Sequence, residues 1–501
     1  MANLKSLAKD TAIYGMSSIV GRFLNYLLVP LYTTQMHATT GDYGIITNLY
    51  SYTALLLVLL TFGMETTFFR FANKEGEDPR RVYSTTLLMV GGVAVVFVGI
   101  VFAFLPQIST LLRYPDHSDY VAVMFTCVAI DAFQSVPFAY LRYAKRPLKF
   151  AALKLLFIVM NIALNLGYFL LVPWLYSRHS TRHLVEGFFD GSFDVAWVFY
   201  INIFCTAVVT LFFRKELTGF RYTLDTALAR RMWSYSWPVL ALGIAGILNM
   251  TVDKIIFPFV SPLSPHEANV QLGIYGACVK IAMIMTLITQ AFRYAYEPFV
   301  FNKSREADSR RTYAAAMKYF LVFGYLAFII VVAYLDVIKY VVAPSYWEGM
   351  RVTPIVMASG LLLGVFFNLS LWYKLTDKTI YGMWLSFAGC AVLVMVNVLF
   401  IPRYGYMACA WGGVAGYGVA TLLSYYYGQK HYPIAYPLRS IGIYTLIAAA
   451  FTAVMLLLPH SLPTPLRLGI NTLLVLMYIG HVLYHDLPPS SLPVVGKYFR
   501  R

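Results

Sequence analysis

The feature that most constrains this chain is a series of long apolar stretches that recur along its 501 residues. About fourteen of them are long enough to cross a bilayer, whose roughly 30 Å hydrocarbon core takes about 20 residues of helix. Inside a bilayer only helices and closed barrels satisfy every backbone polar group. The pattern therefore predicts an all-α integral membrane protein with about 14 transmembrane helices. The approximate span cores are residues 11–31, 43–63, 84–105, 119–141, 153–173, 194–213, 234–260, 271–293, 314–334, 352–372, 379–401, 406–427, 440–458 and 466–485.

The content of charged and reactive residues excludes several classes of protein. Only 12% of the residues are charged, against about 25% in soluble proteins. The net charge of +16 would suit a nucleic acid if it were gathered on one soluble face, but the cations are dispersed among the spans. All five cysteines lie in apolar stretches, which argues against a disulfide framework and a metal cluster. We therefore expect no nucleic-acid partner, metal, cofactor or catalytic activity.

The distribution of lysine and arginine predicts the orientation in the membrane. If the spans alternate in direction, and basic residues within two positions of a span end are counted with the adjoining segment, 28 of the 39 basic residues fall in segments on one side, 7 fall on the other and 4 lie within spans. Positive residues favour the cytoplasmic side. Both termini and the loops at 64–83, 142–153 and 301–313 are therefore predicted to be cytoplasmic.

An internal repeat relates the two halves of the chain at an offset of 232 residues. Because this offset spans six predicted helices, an even number, the halves would insert in the same orientation, as parallel repeats do. The repeat predicts two six-helix lobes, residues 1–213 and 234–427, followed by two additional helices in residues 440–485. The aligned pairs are Arg22 with Lys254, Pro30 with Pro262, Tyr43-Gly44 with Tyr275-Gly276, Glu65 with Glu297, Phe69 with Phe301 and Asn165 with Asn397.

Three charged residues stand deep within the two helices of the apolar hairpin 234–302: Asp253, Lys254 and Lys280. A charge at that depth costs at least about 2.5–3.5 kcal/mol, so it normally faces a partner or a wet cavity. Lys254 and Lys280 are predicted at similar depth, and the repeat adds Arg22. These three cations are the candidate substrate-binding residues, for an anion such as a phosphate. A salt bridge between Arg22 and Asp253, or lysines that snorkel to the membrane rim, is the alternative interpretation.

Four acidic residues are candidates for ion coupling or charge pairing: Asp131, Asp253, Glu65 and Glu297. Adjacent positions on a helix do not share a face, so we expect Asp253 to pair with another helix rather than with Lys254. Glu65 and Glu297 lie near predicted cytoplasmic span ends, where helix termination or pairing with Arg70 or Arg293 is expected.

Four short stretches resemble a known family. They are YGMSSIVGRFLNYLLVPLYTT at 14–34, DYGII at 42–46, TVDKIIF at 251–257 and LGIYGACVKIA at 272–282. Together with the span count, they are similar to the polysaccharide transporters of the multidrug/oligosaccharidyl-lipid/polysaccharide exporter superfamily, and most of all to its O-antigen flippases.

The resemblance implies two six-helix lobes around a central cationic cavity that opens to one side of the membrane at a time. It implies a flippase that passes an undecaprenyl-diphosphate-linked oligosaccharide from the cytoplasmic to the periplasmic leaflet of a bacterial inner membrane. Arg22 and Lys254 stand where such a cavity would hold its cations. Membrane lipids, a polysaccharide polymerase and glycosyltransferases are the further partners that it implies.

Two rival functions stay open at this stage. One is a multidrug or organic-cation antiporter of the same fold, but members of that branch usually depend on a membrane carboxylate, and the first span offers Arg22 instead. The other is a membrane oligosaccharide polymerase or ligase. Such enzymes resemble one another in a large periplasmic loop, whereas the longest predicted outer segment here runs only from 174 to 193.

Overall fold

The computed structural model describes residues 26–218, 222–303, 309–376, 378–459 and 461–486. Within these ranges the regular structure is helical, and no β-strand occurs. The helices form two compact units, which are described separately. The first holds the described residues up to Ala277 together with Val394–Cys409, and the second holds Cys278–Leu393 together with the described residues from Ala410 onward.

The first unit contains most of the helices of the N-terminal half. A π-helical turn at Gly167–Leu171 joins α7 to α8, and α12 continues from the first unit into the second. The helices are α1 (Leu28–Gln35), α2 (Asp42–Thr61), α3 (Met64–Ala72), α4 (Pro79–Ala103), α5 (Leu105–Leu111), α6 (Ser118–Tyr143), α7 (Pro147–Leu166), α8 (Val172–Ser177), α9 (Ala196–Leu211), α10 (Arg214–Leu217), α11 (Thr226–Val260) and α12 (Pro265–Lys303).

Aspartates begin two of these helices by binding otherwise free backbone N–H groups. The Asp78 carboxylate accepts a hydrogen bond from the Arg80 N–H at 3.0 Å at the start of α4. The Asp225 carboxylate accepts one from the Leu228 N–H at 3.0 Å at the start of α11. That hydrogen bond holds the pKa of Asp225 below its usual value.

A sharp break separates α2 from α3. Phe62 and Gly63 both have positive φ, 33° and 72°. A side chain on Gly63 would lie 3.0 Å from the Ser236 carbonyl oxygen of α11. The break therefore lets α11 pack directly against this turn. Around it, buried residues of α3, α4, α6 and α11 form a hydrophobic core, including Phe68, Tyr83 and Met232.

Helix α2 and the first turns of α12 cross with their backbones in contact. A Cβ atom added to Gly44 would overlap the carbonyl oxygen of Asn269, and one added to Gly276 would overlap the side chain of Thr47. A Cβ on Gly273 would lie 2.9 Å from the backbone nitrogen of Gly44. Small residues permit such close approach of membrane helices, so these three glycines fix the position of α12 beside α2.

The second unit is built around α13, which packs against α15, α19 and α20. Ile329, Tyr444 and Tyr478 lie in its core. Helices α17 and α18 meet at Gly389 and Gly416, where a Cβ atom on either would lie less than 3 Å from the carbonyl oxygen of the other. Residues 394–404 of α17 and 406–409 of α18 belong to the first unit. The helices of the C-terminal half are α13 (Ser309–Ala333), α14 (Leu335–Ile338), α15 (Val352–Leu369), α16 (Leu371–Leu375), α17 (Ile380–Tyr404), α18 (Tyr406–His431), α19 (Leu438–Leu457) and α20 (Thr464–His485).

An ion pair closes the end of α20. The Asp486 carboxylate accepts hydrogen bonds from the Lys318 ammonium of α13 and the Tyr444 hydroxyl of α19. Burial raises the pKa of Asp486, but the two donors outweigh it, so this pKa lies below its usual value. The end of α20 is thereby fastened to two neighbouring helices.

The predicted all-α membrane fold is confirmed. Among the described residues, 12 helices are long and apolar enough to span a membrane, and Ala196–Leu211 is a shorter apolar helix. The first predicted span, 11–31, lies mostly outside the described residues. The lobes at 1–213 and 234–427 and the additional pair at 440–485 stay a prediction.

Candidate functional site

A partly buried ion pair lies in the last third of α11. Asp253 is 6% exposed, and the Lys254 ammonium is 3.0 Å from each of its carboxylate oxygens. The expectation that these neighbours do not pair is wrong. Their Cβ atoms diverge, as helix geometry requires, but the long lysine side chain bends back to reach the carboxylate. Lys254 also donates to the Met250 carbonyl oxygen at 3.0 Å.

The same carboxylate has a partner on α12. The Tyr275 hydroxyl donates to Asp253 Oδ2 at 2.7 Å, and the Lys254 ammonium lies 5.4 Å from the centre of the Tyr275 ring. The prediction that Asp253 has a partner on another helix is therefore right, but this partner is a hydroxyl rather than a cation. The Cys409 thiol contacts the Asp253 carbonyl oxygen at 3.9 Å.

A proline explains how α11 is held at this point. Pro258 has no N–H, so the carbonyl of Lys254, four residues earlier, loses its usual helical donor. The Asn48 side chain of α2 replaces that donor, with Nδ2 2.8 Å from the Lys254 oxygen. The Tyr114 hydroxyl donates in turn to Asn48 Oδ1 at 2.9 Å. The backbone of the ion pair is thus fixed by side chains from two other segments.

The arrangement at Lys254 can exchange one anion for another. An ammonium has three donors and no acceptor, and all three are used by Asp253 and the Met250 carbonyl. The Lys254 side chain is 14% exposed, so the charge lies in a medium where electrostatic attraction is stronger than in water. An incoming anion would bind here by displacing the carboxylate.

A second charged cluster lies between α3, α6 and α7. The Thr206 hydroxyl of α9 donates to Asp131 Oδ1 at 3.3 Å. Lys154 interacts electrostatically with Asp131 and Glu65, and its ammonium lies 4.0 Å from the centre of the Phe138 ring. Two acidic and two basic side chains therefore share this part of the unit, Arg142 being the fourth.

The partner of Glu65 differs from the one predicted. Its carboxylate pairs with Arg142 of α6, because the turn at Phe62 and Gly63 directs α3 toward that helix. Arg70 instead stacks over the Tyr235 ring, 4.1 Å from its centre. Arg293 lies over the Phe367 ring at 5.0 Å.

The remaining predicted residues are placed as follows. Arg22 lies outside the described residues, and no side chain is described for Glu297. Lys280 belongs to the second unit, where it is exposed. The structure thus brings Asp253 to Lys254, and it brings Asp131 and Glu65 to a common cluster. A grouping of Arg22, Lys254 and Lys280 stays a prediction.

Three residues at these sites were not singled out as site residues from the sequence. Lys154, at the start of the predicted span 153–173, is attributed by sequence to a cytoplasmic loop, but it lies within α7. Tyr275 was noted only as part of the repeat. Asn48 could have been sought from the sequence, because Pro258 predicts a carbonyl that needs a donor. Within the described ranges, no group of three or more His, Cys, Asp or Glu side chains could hold a metal ion.

Comparisons with known proteins identify relatives in sequence family and in fold. A family model described as "Polysaccharide biosynthesis protein" matches residues 7–298. A search of the curated proteins finds no match. The lipid II flippase MurJ in its inward closed conformation is similar in structure, with a TM-score of 0.68 and 11% identity over 96% of this chain and 99% of that one.

Multidrug transporters have a similar fold. An inward-facing MATE family transporter of the MOP superfamily has a TM-score of 0.59 at 16% identity, over 85% of this chain and 96% of that one. An outward-facing MATE family transporter of the same superfamily has a TM-score of 0.54 at 16% identity, over 84% of this chain and 95% of that one. At such low identities these likenesses show the fold.

Proposed function

This chain belongs to the polysaccharide biosynthesis protein family, and from that membership we propose that it is a flippase for polyprenyl-diphosphate-linked oligosaccharides. The observation that carries the proposal is the Lys254 ammonium, which is 14% exposed on a membrane-spanning helix of the matched region and is paired with a carboxylate that an anion could displace. The substrate would be a unit of O-antigen, capsule or exopolysaccharide.

The chemistry of such a substrate fits cations within the spans. A diphosphate crossing a medium of low dielectric constant needs positive charge along its path. Arg22, Lys254 and Lys280 are the proposed contacts, since arginine binds phosphate through two oxygens and lysine acts as a point charge. The lipid tail would stay in the bilayer while the headgroup crosses, and some of the 39 tyrosines would offer rings and hydroxyls to the sugars.

The proposed location is a bacterial inner membrane with both termini in the cytoplasm. The basic residues support this orientation, because they are concentrated on one side of the alternating spans. Transport would proceed by alternating access of the lobes 1–213 and 234–427. Glycosyltransferases would supply the substrate on the cytoplasmic side, and a polymerase would use it on the other.

A multidrug antiporter is the second candidate. The fold similarity to MATE transporters favours it, as does Asp131, a half-buried carboxylate in a membrane-spanning helix. An organic cation would need such a carboxylate in excess over nearby cations. In this cluster Lys154 and Arg142 offset Asp131 and Glu65, which leaves no net negative charge to bind a cation.

The test is translocation in proteoliposomes that contain the purified protein. We expect a labelled undecaprenyl-diphosphate-linked oligosaccharide to cross and an organic-cation dye to be left behind. Lys254→Ala should slow the crossing by about tenfold to a hundredfold, because a hydrogen bond to a charged group contributes about 1.5–3 kcal/mol. Transport of the dye alone would overturn the proposal in favour of the antiporter.

A further inference from the structure

We propose that the Asp253 carboxylate competes with the substrate's diphosphate for the Lys254 ammonium. It pairs with Lys254 between transport cycles and pairs with it again when the substrate leaves. This inference rests on the proposed function, because it concerns how the proposed anion site binds and releases. Asp253 is then a positioning residue, which acts on the substrate through Lys254. The contacts of Lys254, Asp253 and Tyr275 carry the argument.

The first observation is that Lys254 has no donor to spare. Its ammonium lies 3.0 Å from Asp253 Oδ1, from Asp253 Oδ2 and from the Met250 carbonyl oxygen. A phosphate oxygen can bind only by replacing one of these three acceptors. The carboxylate is the one of matching charge, so the exchange replaces one charge-assisted contact by another.

The second observation is that the ammonium can leave without any movement of the helix. Lysine carries its charge on a flexible four-carbon stem, and here the stem is bent back over the neighbouring residue. The backbone at Lys254 is held by Asn48 at 2.8 Å. A change of side-chain torsion angles alone is therefore enough to move the charge away from Asp253.

The third observation is that Asp253 keeps a partner after the exchange. A buried carboxylate without a hydrogen bond or counter-ion is costly. The Tyr275 hydroxyl donates to Asp253 Oδ2 at 2.7 Å, and this contact does not depend on Lys254. The tyrosine lowers the cost of the open state and so makes the lysine available.

Competition by Asp253 also affects the release of the substrate. A site that moves a substrate must bind it well enough to admit it and weakly enough to let it go. Lys254 without a competing anion would bind a diphosphate tightly and release it slowly. Asp253 lowers the affinity of the site for the diphosphate and speeds its release.

The experiment compares Asp253→Asn and Tyr275→Phe with the unchanged protein. Binding of undecaprenyl diphosphate is measured in lipid nanodiscs by tryptophan fluorescence, and translocation of the linked oligosaccharide is measured in proteoliposomes. Asp253→Asn should bind about tenfold more tightly and turn over more slowly, because one charge-assisted competitor is lost. The value of KM should then fall together with kcat.

Tyr275→Phe should act in the opposite direction. Without the hydroxyl, the carboxylate gains more from Lys254, so binding of undecaprenyl diphosphate should weaken by about two- to tenfold. A purely structural role for the two residues would move both variants the same way. If Asp253→Asn does not fold, the Tyr275→Phe variant by itself tests the inference. Unchanged or tighter binding of undecaprenyl diphosphate by Tyr275→Phe would overturn it.

Two further variants separate this inference from the proposed function. Lys254→Ala should weaken binding. If it does, but Asp253→Asn fails to tighten binding, only the competitor role is wrong. If Lys254→Ala binds undecaprenyl diphosphate as well as the unchanged protein, the anion site itself is wrong. Glu186→Gln, in an exposed ion pair with Arg182 at 4.0 Å, is the matched control and should change neither binding nor transport.

Discussion

The hydrogen bond between Asn48 and the Lys254 carbonyl shows how single residues compensate for one another. Pro258 removes a helical donor and Asn48, which is fully buried, supplies it at 2.8 Å. Inside a membrane an unsatisfied carbonyl is expensive. The hydrogen bond from Asn48 to the Lys254 carbonyl therefore replaces a missing helical hydrogen bond of α11 and also links α11 to α2.

Asn48→Ala should destabilise the protein by about 1–3 kcal/mol, because it leaves a buried carbonyl and the Tyr114 hydroxyl without partners. Adding Pro258→Ala should recover part of the loss, since alanine restores the N–H that the Lys254 carbonyl lacks. The measurement is the free energy of unfolding in mixed micelles, analysed as a double-mutant cycle. Asn73→Ala, which removes an exposed side chain, is the control. Additive losses in the cycle would refute the compensation.

The contacts of Lys254 also show what sequence reasoning could and could not predict at this scale. The charges were found because charged side chains are rare inside apolar spans. Their pairing was missed because the rule that neighbouring positions diverge applies to Cβ atoms, whereas the lysine ammonium is four bonds further out. Lys154 was missed because it lies at the very start of the predicted span 153–173, where its charge is attributed to the adjoining loop.

At the scale of helices, the crossing of α2 and α12 depends on glycine. The sequence shows Gly44 and Gly276 as an aligned pair of the repeat, but it does not show that both lie in the contact between α2 and α12. Hydropathy locates the spans along the chain and does not show which spans pack against each other. Span positions themselves were predicted well: for example, the predicted core 119–141 lies within α6, Ser118–Tyr143. Backbone packing of this kind is visible only in three dimensions.

Gly44→Ala should weaken this crossing strongly. The new methyl group would overlap the Asn269 carbonyl oxygen, and overpacking typically costs about 1–3 kcal/mol. Gly92→Ala on α4, where nothing lies within 4 Å of the added atom, should instead stabilise by about 0.5–1 kcal/mol. Thermal unfolding of the two purified variants measures both effects. Equal midpoints would show that α2 and α12 do not pack as closely as described.

At the scale of the whole molecule, the resemblance to polysaccharide transporters found in short sequence stretches is confirmed by the family match over residues 7–298. The fold is shared with MurJ and MATE transporters. The repeat, the lobe boundaries and the orientation rest on sequence patterns alone. Orientation is the most accessible of these to experiment.

Labelling of single cysteines tests the orientation. Ser180 and Glu75 are both exposed, and all five native cysteines are buried, so the background should be low. A membrane-impermeant maleimide should label Ser180→Cys in intact cells but not Glu75→Cys, because the segment 64–83 is predicted to be cytoplasmic. Permeabilised cells should label both. Equal labelling in intact cells would contradict the predicted orientation and the parallel repeat.

The contact between Lys254 and Asp253 has an electrical consequence. With the ammonium 3.0 Å from both carboxylate oxygens, the pair carries no net charge when no other anion is bound. Moving one elementary charge through a membrane potential of about 100 mV takes about 2.3 kcal/mol. If the pair belongs to the substrate site, as proposed, it adds no net charge to the empty carrier, so its own movement back through the membrane potential requires none of that work.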